Sequence, residues 1–277
     1  MLVFKPVDSS QLGVHTFACY DLESDEVLIE EIAALVRDLY VEDVILGEQL
    51  RTASQSLDEV CDEAEICALV DRVAMAVIPQ MNTGSSQPLH LQVPRNEVAE
   101  VLAIRVLQQI HGFSVPSSRI RNKEVAGSPS RGLDVLGLTQ SMGIALTEVK
   151  ASSSTQSPPT VVHGAADSMR AETLKRLNDR DSLIAELHWA LKHAKPESRL
   201  DVAKSLFLHA RQTPPVSTVA PVLVRPAGAY QATDYGNFKE PSIDFGDSPI
   251  KFVVVRLPGT LEDFAGLVYA KAAEQAA

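Results

Sequence analysis

The sequence has few cysteines and no long apolar segment, and both deficits narrow the classes of protein to which it can belong. Its three cysteines, Cys19, Cys61 and Cys67, form no CxxC pair, so neither a disulfide framework nor a zinc site is expected. No stretch approaches the roughly 20 apolar residues of a membrane helix, and the N-terminus lacks the sections of a signal peptide. We therefore expect a cytoplasmic protein that does not act in a membrane.

Motifs for several common chemistries are also missing. The sequence contains neither HExxH nor GxSxG, and its seven histidines are scattered. It also lacks the phosphate-binding pattern GxxxxGK[ST], so this chain is expected to bind no nucleotide cofactor. Any bound metal is therefore expected to have oxygen ligands.

Charge is distributed unevenly along the 277 residues, whose net charge is −11. The segment 21–65 has fifteen acidic residues and two basic ones, so the rest of the chain has a small net positive charge. Hydrophobic periodicity predicts acidic amphipathic helices over about 25–39 and 57–77. Their charged faces are either ordinary solvated surface or a docking surface that binds a basic partner or screens a nucleic-acid groove.

The rest of the chain alternates between helix and strand patterns, with a low-complexity run, SSSTQSPP, near its middle. In chain order the patterns predict a helix over 95–111, strands over 113–120, 133–138 and 144–150, a long helix over 165–194, a helix over 198–210, strands over 222–224 and 251–257, and a terminal helix over 260–273. This order predicts an α/β protein with a mixed β-sheet flanked by helices. We expect an N-terminal acidic helical region over 1–90 and a core over 91–277.

The segment RGLDVLGLTQSMGIALTEVKASS, residues 131–153, combines the residues that indicate chemistry. Because side chains alternate along a strand, Glu148 and Lys150 share one face while Val149 points to the other. Asp134 precedes Glu148 by fourteen positions, which fits a hairpin that brings the two carboxylates together. Two carboxylates are suitable ligands for Mg²⁺, and a neighbouring lysine can position or help to deprotonate a water and stabilise phosphate oxygens.

A Glu and a Lys on a surface strand are often only a solvated face, so the surrounding residues decide the interpretation. The strand is apolar, an Asp is predicted opposite, and four basic residues occur against one acid between positions 119 and 131. This basic stretch is either a solvated loop or the place where a nucleic-acid backbone passes; its members are Arg119, Arg121, Lys123 and Arg131. The same two interpretations apply to three later residues: Lys175, Arg176 and Arg180.

These residues resemble the PD-(D/E)XK nuclease superfamily, whose core is a helix, a three-stranded meander, a helix and a further strand, as in restriction endonucleases. The resemblance lies in the Asp of GLDVLG, in TEVK and in the upstream helix AEVLAIRVLQQIHGF. It implies hydrolysis of DNA with Mg²⁺ or Mn²⁺, metal ligation by Asp134 and Glu148, and a catalytic Lys150. It also implies a further acidic ligand on the helix, either Glu100 or Glu97. The superfamily's usual proline before the Asp is replaced here by leucine.

The overall layout and the closing segment RLPGTLEDFAGLVY are similar to the HamA family of nuclease subunits from the Hachiman bacterial defence system. This resemblance implies an effector subunit of an anti-phage complex that works with a helicase partner. The alternative is a non-catalytic regulatory subunit that binds a helicase or nucleic acid.

Overall fold

The computed structural model describes residues 4–22, 26–57, 61–79, 95–120, 133–164, 166–211, 214–240 and 243–274. Within these ranges the chain forms two β-sheets with helices packed around them. The strands are β1 (Phe4–Leu12), β2 (His15–Leu22), β3 (Val135–Leu138), β4 (Ile144–Thr147), β5 (Val149–Ala151), β6 (Thr218–Val219), β7 (Val222–Pro226) and β8 (Lys251–Leu257).

Nine α-helices lie within the described ranges, together with several short 3₁₀ turns. They are α1 (Glu26–Tyr40), α2 (Asp43–Ser56), α3 (Glu63–Val77), α4 (Arg95–Arg105), α5 (Thr160–His163), α6 (Met169–Leu177), α7 (Arg180–His193), α8 (Arg199–Ala210) and α9 (Leu261–Glu274). None of these described helices has both the length and the apolar character needed to cross a membrane.

Both sheets are mixed. The larger one has the order β1–β2–β8–β7–β5, in which β1 is an antiparallel edge strand and the other neighbours run parallel. In the smaller sheet, of order β3–β4–β6, β3 pairs antiparallel with β4 and β6 pairs parallel with it. The predicted α/β class, with a mixed sheet flanked by helices, is therefore confirmed.

Side-chain alternation along β8 explains how the larger sheet packs helices on both faces. Val253 and Val255 belong to an apolar cluster that also contains buried residues of α1, α4 and α9. Phe252 and Val254 belong to a second cluster, shared with Val162 of α5 and the first residue of α6. The smaller sheet packs against α7 and α8 in a third cluster. The strand β8 is buried along almost its whole length, as expected for a central parallel strand.

The acidic helices differ in part from the prediction. α1 confirms the first, because its apolar stripe is buried as expected. The second begins later than predicted, at Glu63, where Asp62 and Glu65 form a reciprocal capping box with the helix start. The helix α2 between them was not predicted. Its burial is slight, with Gly47 as its buried residue, so hydrophobic periodicity gave a weak signal there.

Two predictions about strands were wrong or incomplete. The description of residues 1–90 as helical misses β1 and β2, and β2 lies inside the larger sheet beside β8. The predicted strand over 113–120 is absent, and only Ser114 forms an isolated bridge, to Leu138. Pro116 lacks the N–H that a strand would need there, so pairing stops after a single bridge.

The long helix predicted over 165–194 is two helices, α6 and α7, within the described residues. Asn178 ends the first, and the Asp179 side chain accepts a hydrogen bond from the backbone N–H of Ser182. An aspartate in this N-cap position satisfies an amide at the start of the new helix. The turn between the helices lets α6 lie beside the larger sheet while α7 packs on the smaller one.

A buried ion pair fixes the segment after β5, which the sequence presented only as low complexity. The side chains of Arg225 and Asp234 are fully buried, and Arg225 Nη1 donates to Asp234 Oδ1 at 2.5 Å. The same guanidinium donates to the backbone carbonyls of Ser154 and Gln156, and Ser157 Oγ donates to Asp234 Oδ1 at 2.6 Å. The run SSSTQSPP is therefore attached to the end of β7 rather than acting as a linker.

A π-helical turn (Val106–Ile110) follows α4, and the histidine directly after it, His111, links stability to pH. Burial, followed by the charge of the nearby Lys251, lowers the pKa of His111 to about 4. Because an unfolded histidine titrates near pH 6.5, the unfolded chain binds the proton first, and stability is lost as pH falls from about 6.5 to about 4. We expect His111→Gln to reduce this acid-induced loss, measured as the shift in urea midpoint between about pH 7.5 and pH 5. The exposed His188→Gln is the control, and equal losses in both variants and the unmodified chain would refute the assignment.

Candidate active site

The hairpin of β3 and β4 brings the predicted acidic residues together. Val135 pairs with Thr147 in antiparallel register, so Asp134 and Glu148 occupy the next opposed positions. Asp134 Oδ2 accepts a hydrogen bond from the backbone N–H of Val149 at 2.8 Å. The predicted approach of Asp134 to the outgoing strand is therefore confirmed.

The tight turn of this hairpin depends on a glycine. A Cβ atom on Gly143 would lie 2.6 Å from the backbone oxygen of Val216, closer than real Cβ contacts. The backbone also adopts a positive φ of 63° at Met142, just before that glycine. The turn and its contact with the segment before β6 thus hold the two strands in register.

Glu148 lies where the chain passes from one sheet to the other. β4 ends at Thr147 in the smaller sheet, and β5 begins at Val149 in the larger one. The backbone oxygen of Glu148 accepts a hydrogen bond from Val222 N–H at 3.1 Å, which anchors this crossing to β7. The backbone of Glu148 is therefore fixed to a neighbouring strand at the point where the two sheets separate.

Glu148 and Lys150 lie on the same face, as predicted. Lys150 Nζ is 3.0 Å from Glu148 Oε1, and the Glu148 side chain is only 5% exposed against 26% for Lys150. Val149 points away from them into the cluster shared with α4. The acid is therefore buried, whereas the lysine beside it is partly exposed.

Burial and neighbouring charges act in opposite directions on this pair. Burial and the nearby Asp134 carboxylate raise the pKa of Glu148 to about 7, although Lys150 and Arg176 oppose the shift. Burial opposes the charged form of Lys150, but the Glu148 and Asp134 carboxylates outweigh it, so the pKa of the ammonium is raised. Lys150 in this geometry is a stable cation and hydrogen-bond donor rather than a proton acceptor.

The carboxylates of Asp134 and Glu148 provide oxygen atoms that could bind a divalent cation. Glu148 Oε2 is buried and has no hydrogen-bond partner, which is costly for a carboxylate oxygen unless a cation or donor reaches it. Asp134 acts on Glu148 strongly enough to raise its pKa, so the two acids lie close together. Oxygen donors of this kind are the ligands that Mg²⁺ and Mn²⁺ prefer. The pair Asp134 and Glu148 therefore fits a metal of this class.

The described residues assemble no third acidic ligand around the pair. Among the described residues, no group of three or more His, Cys, Asp or Glu side chains is placed to hold a metal ion. Glu100 is buried on α4, whose Val98 and Leu102 pack with Val149 on the side of the sheet away from Glu148. Its role as a metal ligand stays a prediction.

Glu97, the alternative on the same helix, already has a structural role. Its Oε2 atom accepts hydrogen bonds from the hydroxyls of Tyr40 and Tyr269, the second at 2.9 Å. These tyrosines belong to α1 and α9, so the carboxylate joins three helices within the apolar cluster. Metal binding through Glu97 Oε2 would compete with both of these hydrogen bonds.

The predicted basic stretch is only partly described. Arg119 donates to the backbone oxygen of Leu133 at 3.0 Å and forms an ion pair with Glu186 at 2.5 Å, and its guanidinium lies 4.4 Å from the centre of the Trp189 ring. These contacts attach the chain before Asp134 to α7, so a contact of Arg119 with nucleic acid stays a prediction. Three further predicted residues lie outside the described ranges: Arg121, Lys123 and Arg131.

Sequence reasoning gave Arg176 no more weight than its basic neighbours, yet it faces the candidate site. Its Nε atom lies 3.9 Å from Glu148 Oε2, and its side chain is 16% exposed. Helical periodicity alone could not identify it, because the direction of α6 relative to β5 depends on the break after Asn178. The site therefore contains two cations, Lys150 and Arg176, on either side of one buried carboxylate.

Comparison with models of known protein families identifies the family to which the chain is similar. A family model described as HamA matches residues 3–270, nearly the whole chain. No curated protein matches the chain.

Proposed function

The chain belongs to the HamA family, a component of the Hachiman antiviral defence system, and from this premise we propose that it is a Mg²⁺- or Mn²⁺-dependent nuclease that hydrolyses DNA. The observation that carries the proposal is the opposition of Asp134 and Glu148 on one hairpin, with Lys150 at 3.0 Å from Glu148. A buried glutamate and a half-buried aspartate beside a lysine are an arrangement suited to phosphodiester hydrolysis. A Glu–Lys ion pair that was only part of the solvated surface would leave the carboxylate exposed.

The proposed roles follow from the positions of the side chains. Asp134 and Glu148 would hold the cation, and the hydrogen bond from Val149 N–H orients the Asp134 carboxylate. A divalent cation in this place supplies a water of lowered pKa and neutralises charge that develops on the phosphate. Lys150, which stays protonated, would donate hydrogen bonds to a phosphate oxygen or to the attacking water. The backbone hydrogen bond from Val222 N–H to Glu148 would help to keep this arrangement during turnover.

The proposal is tested by the metal dependence of cleavage by the purified full chain. Linear duplex and single-stranded DNA would be incubated with EDTA, Mg²⁺, Mn²⁺ or Ca²⁺, and products resolved by electrophoresis. We expect cleavage with Mg²⁺ or Mn²⁺ and none with EDTA. Binding of DNA without cleavage under any of these ions would reject the nuclease and favour the non-catalytic alternative.

We also propose that the chain works with a helicase partner. The sequence has no GxxxxGK[ST] motif, so strand separation driven by ATP would have to come from another protein. The acidic helices are the candidate docking surface, but part of their charge is used within the chain. Glu30 of α1 lies 3.2 Å from Lys271, and Asp38 lies 3.5 Å from Lys195. Charge reversal at Glu30, Glu31 and Asp38 would test docking by its effect on complex formation with the helicase, and thermal melting would check that the fold is kept.

A further inference from the structure

Three basic residues near the end of α6 and the start of α7 have different environments. The side chain of Lys175 is 76% exposed and points to solvent. Arg180 donates to the backbone oxygens of His209 and Arg211 and so satisfies carbonyls at the end of α8. Arg176 is neither exposed nor used by a helix end, and it lies beside Glu148. Of these three residues, Arg176 is therefore the one that faces the candidate active site.

The guanidinium of Arg176 lies between two carboxylates without a close hydrogen bond to either. Its Nε atom is 3.9 Å from Glu148 Oε2, and its Nη2 atom is 3.7 Å from Glu172 Oε2. Both distances exceed the usual limit of about 3.2 Å for an N–H···O hydrogen bond. Arg176 Nε and Glu148 Oε2 are both buried and both lack a hydrogen-bond partner. The charge is held in place, while the donor at Nε remains unused.

An unused buried donor is costly unless a ligand satisfies it. Leaving such a group without an acceptor destabilises the folded protein. Glu172, one helical turn before Arg176, neutralises part of the charge without consuming the Nε donor. A site that retains a desolvated guanidinium beside a lysine has the character of an anion-binding site, because phosphate oxygens match the planar fork of arginine.

We propose that Arg176 is a phosphate-binding residue of this site, and that its guanidinium contacts a non-bridging oxygen of the nucleic-acid phosphodiester beside Lys150. The inference rests on the proposed function, since it requires the substrate phosphate to lie next to Glu148. Lys150 approaches one oxygen of the Glu148 carboxylate and Arg176 approaches the other, so the two cations flank the same acid. Glu172 holds the guanidinium in this position. A phosphate that contacts both cations is fixed in orientation as well as attracted.

The test measures DNA binding separately from cleavage. The full chain with Glu148→Gln, in EDTA, serves as a non-cleaving background, and binding of a short fluorescent DNA is followed by anisotropy at several KCl concentrations. Adding Arg176→Gln is expected to weaken binding by about tenfold or more and to reduce the salt slope of log K by about one, as expected for one lost phosphate contact. Lys175→Gln, which removes the same charge one position away, is expected to change the affinity by less than about twofold.

Arg176→Lys provides a second variant with the charge kept and the planar fork lost. It is expected to retain the salt slope but to recover only part of the affinity. Thermal melting of every variant checks that the fold is intact. If Arg176→Gln and Lys175→Gln give the same affinity and slope as the background, Arg176 only neutralises Glu148 and the inference is overturned.

The nuclease proposal and the proposed contact of Arg176 with phosphate can be rejected independently. If the unmodified chain cleaves DNA but Arg176→Gln does not change the DNA affinity, the phosphate contact is rejected and the nuclease proposal stands. Binding that depends on Arg176, combined with no cleavage under Mg²⁺ or Mn²⁺, supports the phosphate contact and rejects the nuclease.

Discussion

Replacing Glu148 with glutamine is expected to reduce Mg²⁺-supported cleavage of DNA by on the order of a thousandfold, the scale of losing one preorganised electrostatic group in an active site. The substitution keeps the size of the side chain and its hydrogen bond to Lys150 but removes the charge that a divalent cation requires. Lys150→Met is expected to cause a comparable loss, because it removes the donor to phosphate or water. The measurement is the initial rate of cleavage under saturating Mg²⁺.

The same Glu148→Gln variant is expected to be more stable than the unmodified chain in EDTA at about pH 8. Burial raises the pKa of Glu148 to about 7, so the folded state disfavours the ionised form relative to the unfolded chain, and its ionisation at higher pH costs stability. Glutamine removes this cost. The exposed Glu197→Gln is the control and should change neither activity nor melting temperature. Unchanged cleavage in Glu148→Gln would exclude Glu148 from catalysis.

Asp234→Ala is expected to lower the free energy of unfolding by about 3 to 5 kcal/mol, the usual cost of leaving one member of a buried ion pair without its partner. Both Arg225 and Asp234 side chains are fully buried, and the aspartate also accepts hydrogen bonds from Ser157 Oγ and Gln231 N–H. Its loss would leave the Arg225 charge uncompensated in the interior. Urea unfolding followed by circular dichroism measures the effect.

Two controls separate the buried charge from general disruption. The exposed pair of Asp201 and Lys204 lies on one turn of α8, and Asp201→Ala should cost less than about 1 kcal/mol. The double variant Arg225→Met with Asp234→Leu should be more stable than Asp234→Ala, because it leaves no unpaired charge. A double variant as unstable as the single one would mean that the hydrogen bonds to the 154–157 segment, rather than the ion pair, carry the stability.

The candidate site was predictable from the sequence because its main features are local. The alternation of Glu148, Val149 and Lys150 fixes which side chains share a face, and the short turn at Gly143 fixes the register with Asp134. Both depend on residues within about twenty positions of one another. The apolar strand β8 and the helix α9 were predictable for a similar reason, since their hydrophobic patterns are strong and uninterrupted.

Features that depend on distant partners were not predictable. The strand β1 is largely exposed and polar, so only its pairing with β2 makes it a strand. The roles of Glu97 and Arg176 follow from which helix or sheet each one faces, and a single sequence does not specify that packing. The burial of Arg225 and Asp234 was equally hidden, because charged residues in a loop-rich segment normally indicate surface.

Binding of a divalent cation by Asp134 and Glu148 together can be measured directly with Mn²⁺. Titration of the full chain would be followed by electron paramagnetic resonance of free Mn²⁺, with Asp134→Asn, Glu148→Gln and the exposed Glu197→Gln as variants. We expect Mn²⁺ to bind to the unmodified chain and to Glu197→Gln, and this binding to be lost in the other two variants. Equal Mn²⁺ binding by all four proteins, or no binding by the unmodified chain, would show that Asp134 and Glu148 do not form a metal site.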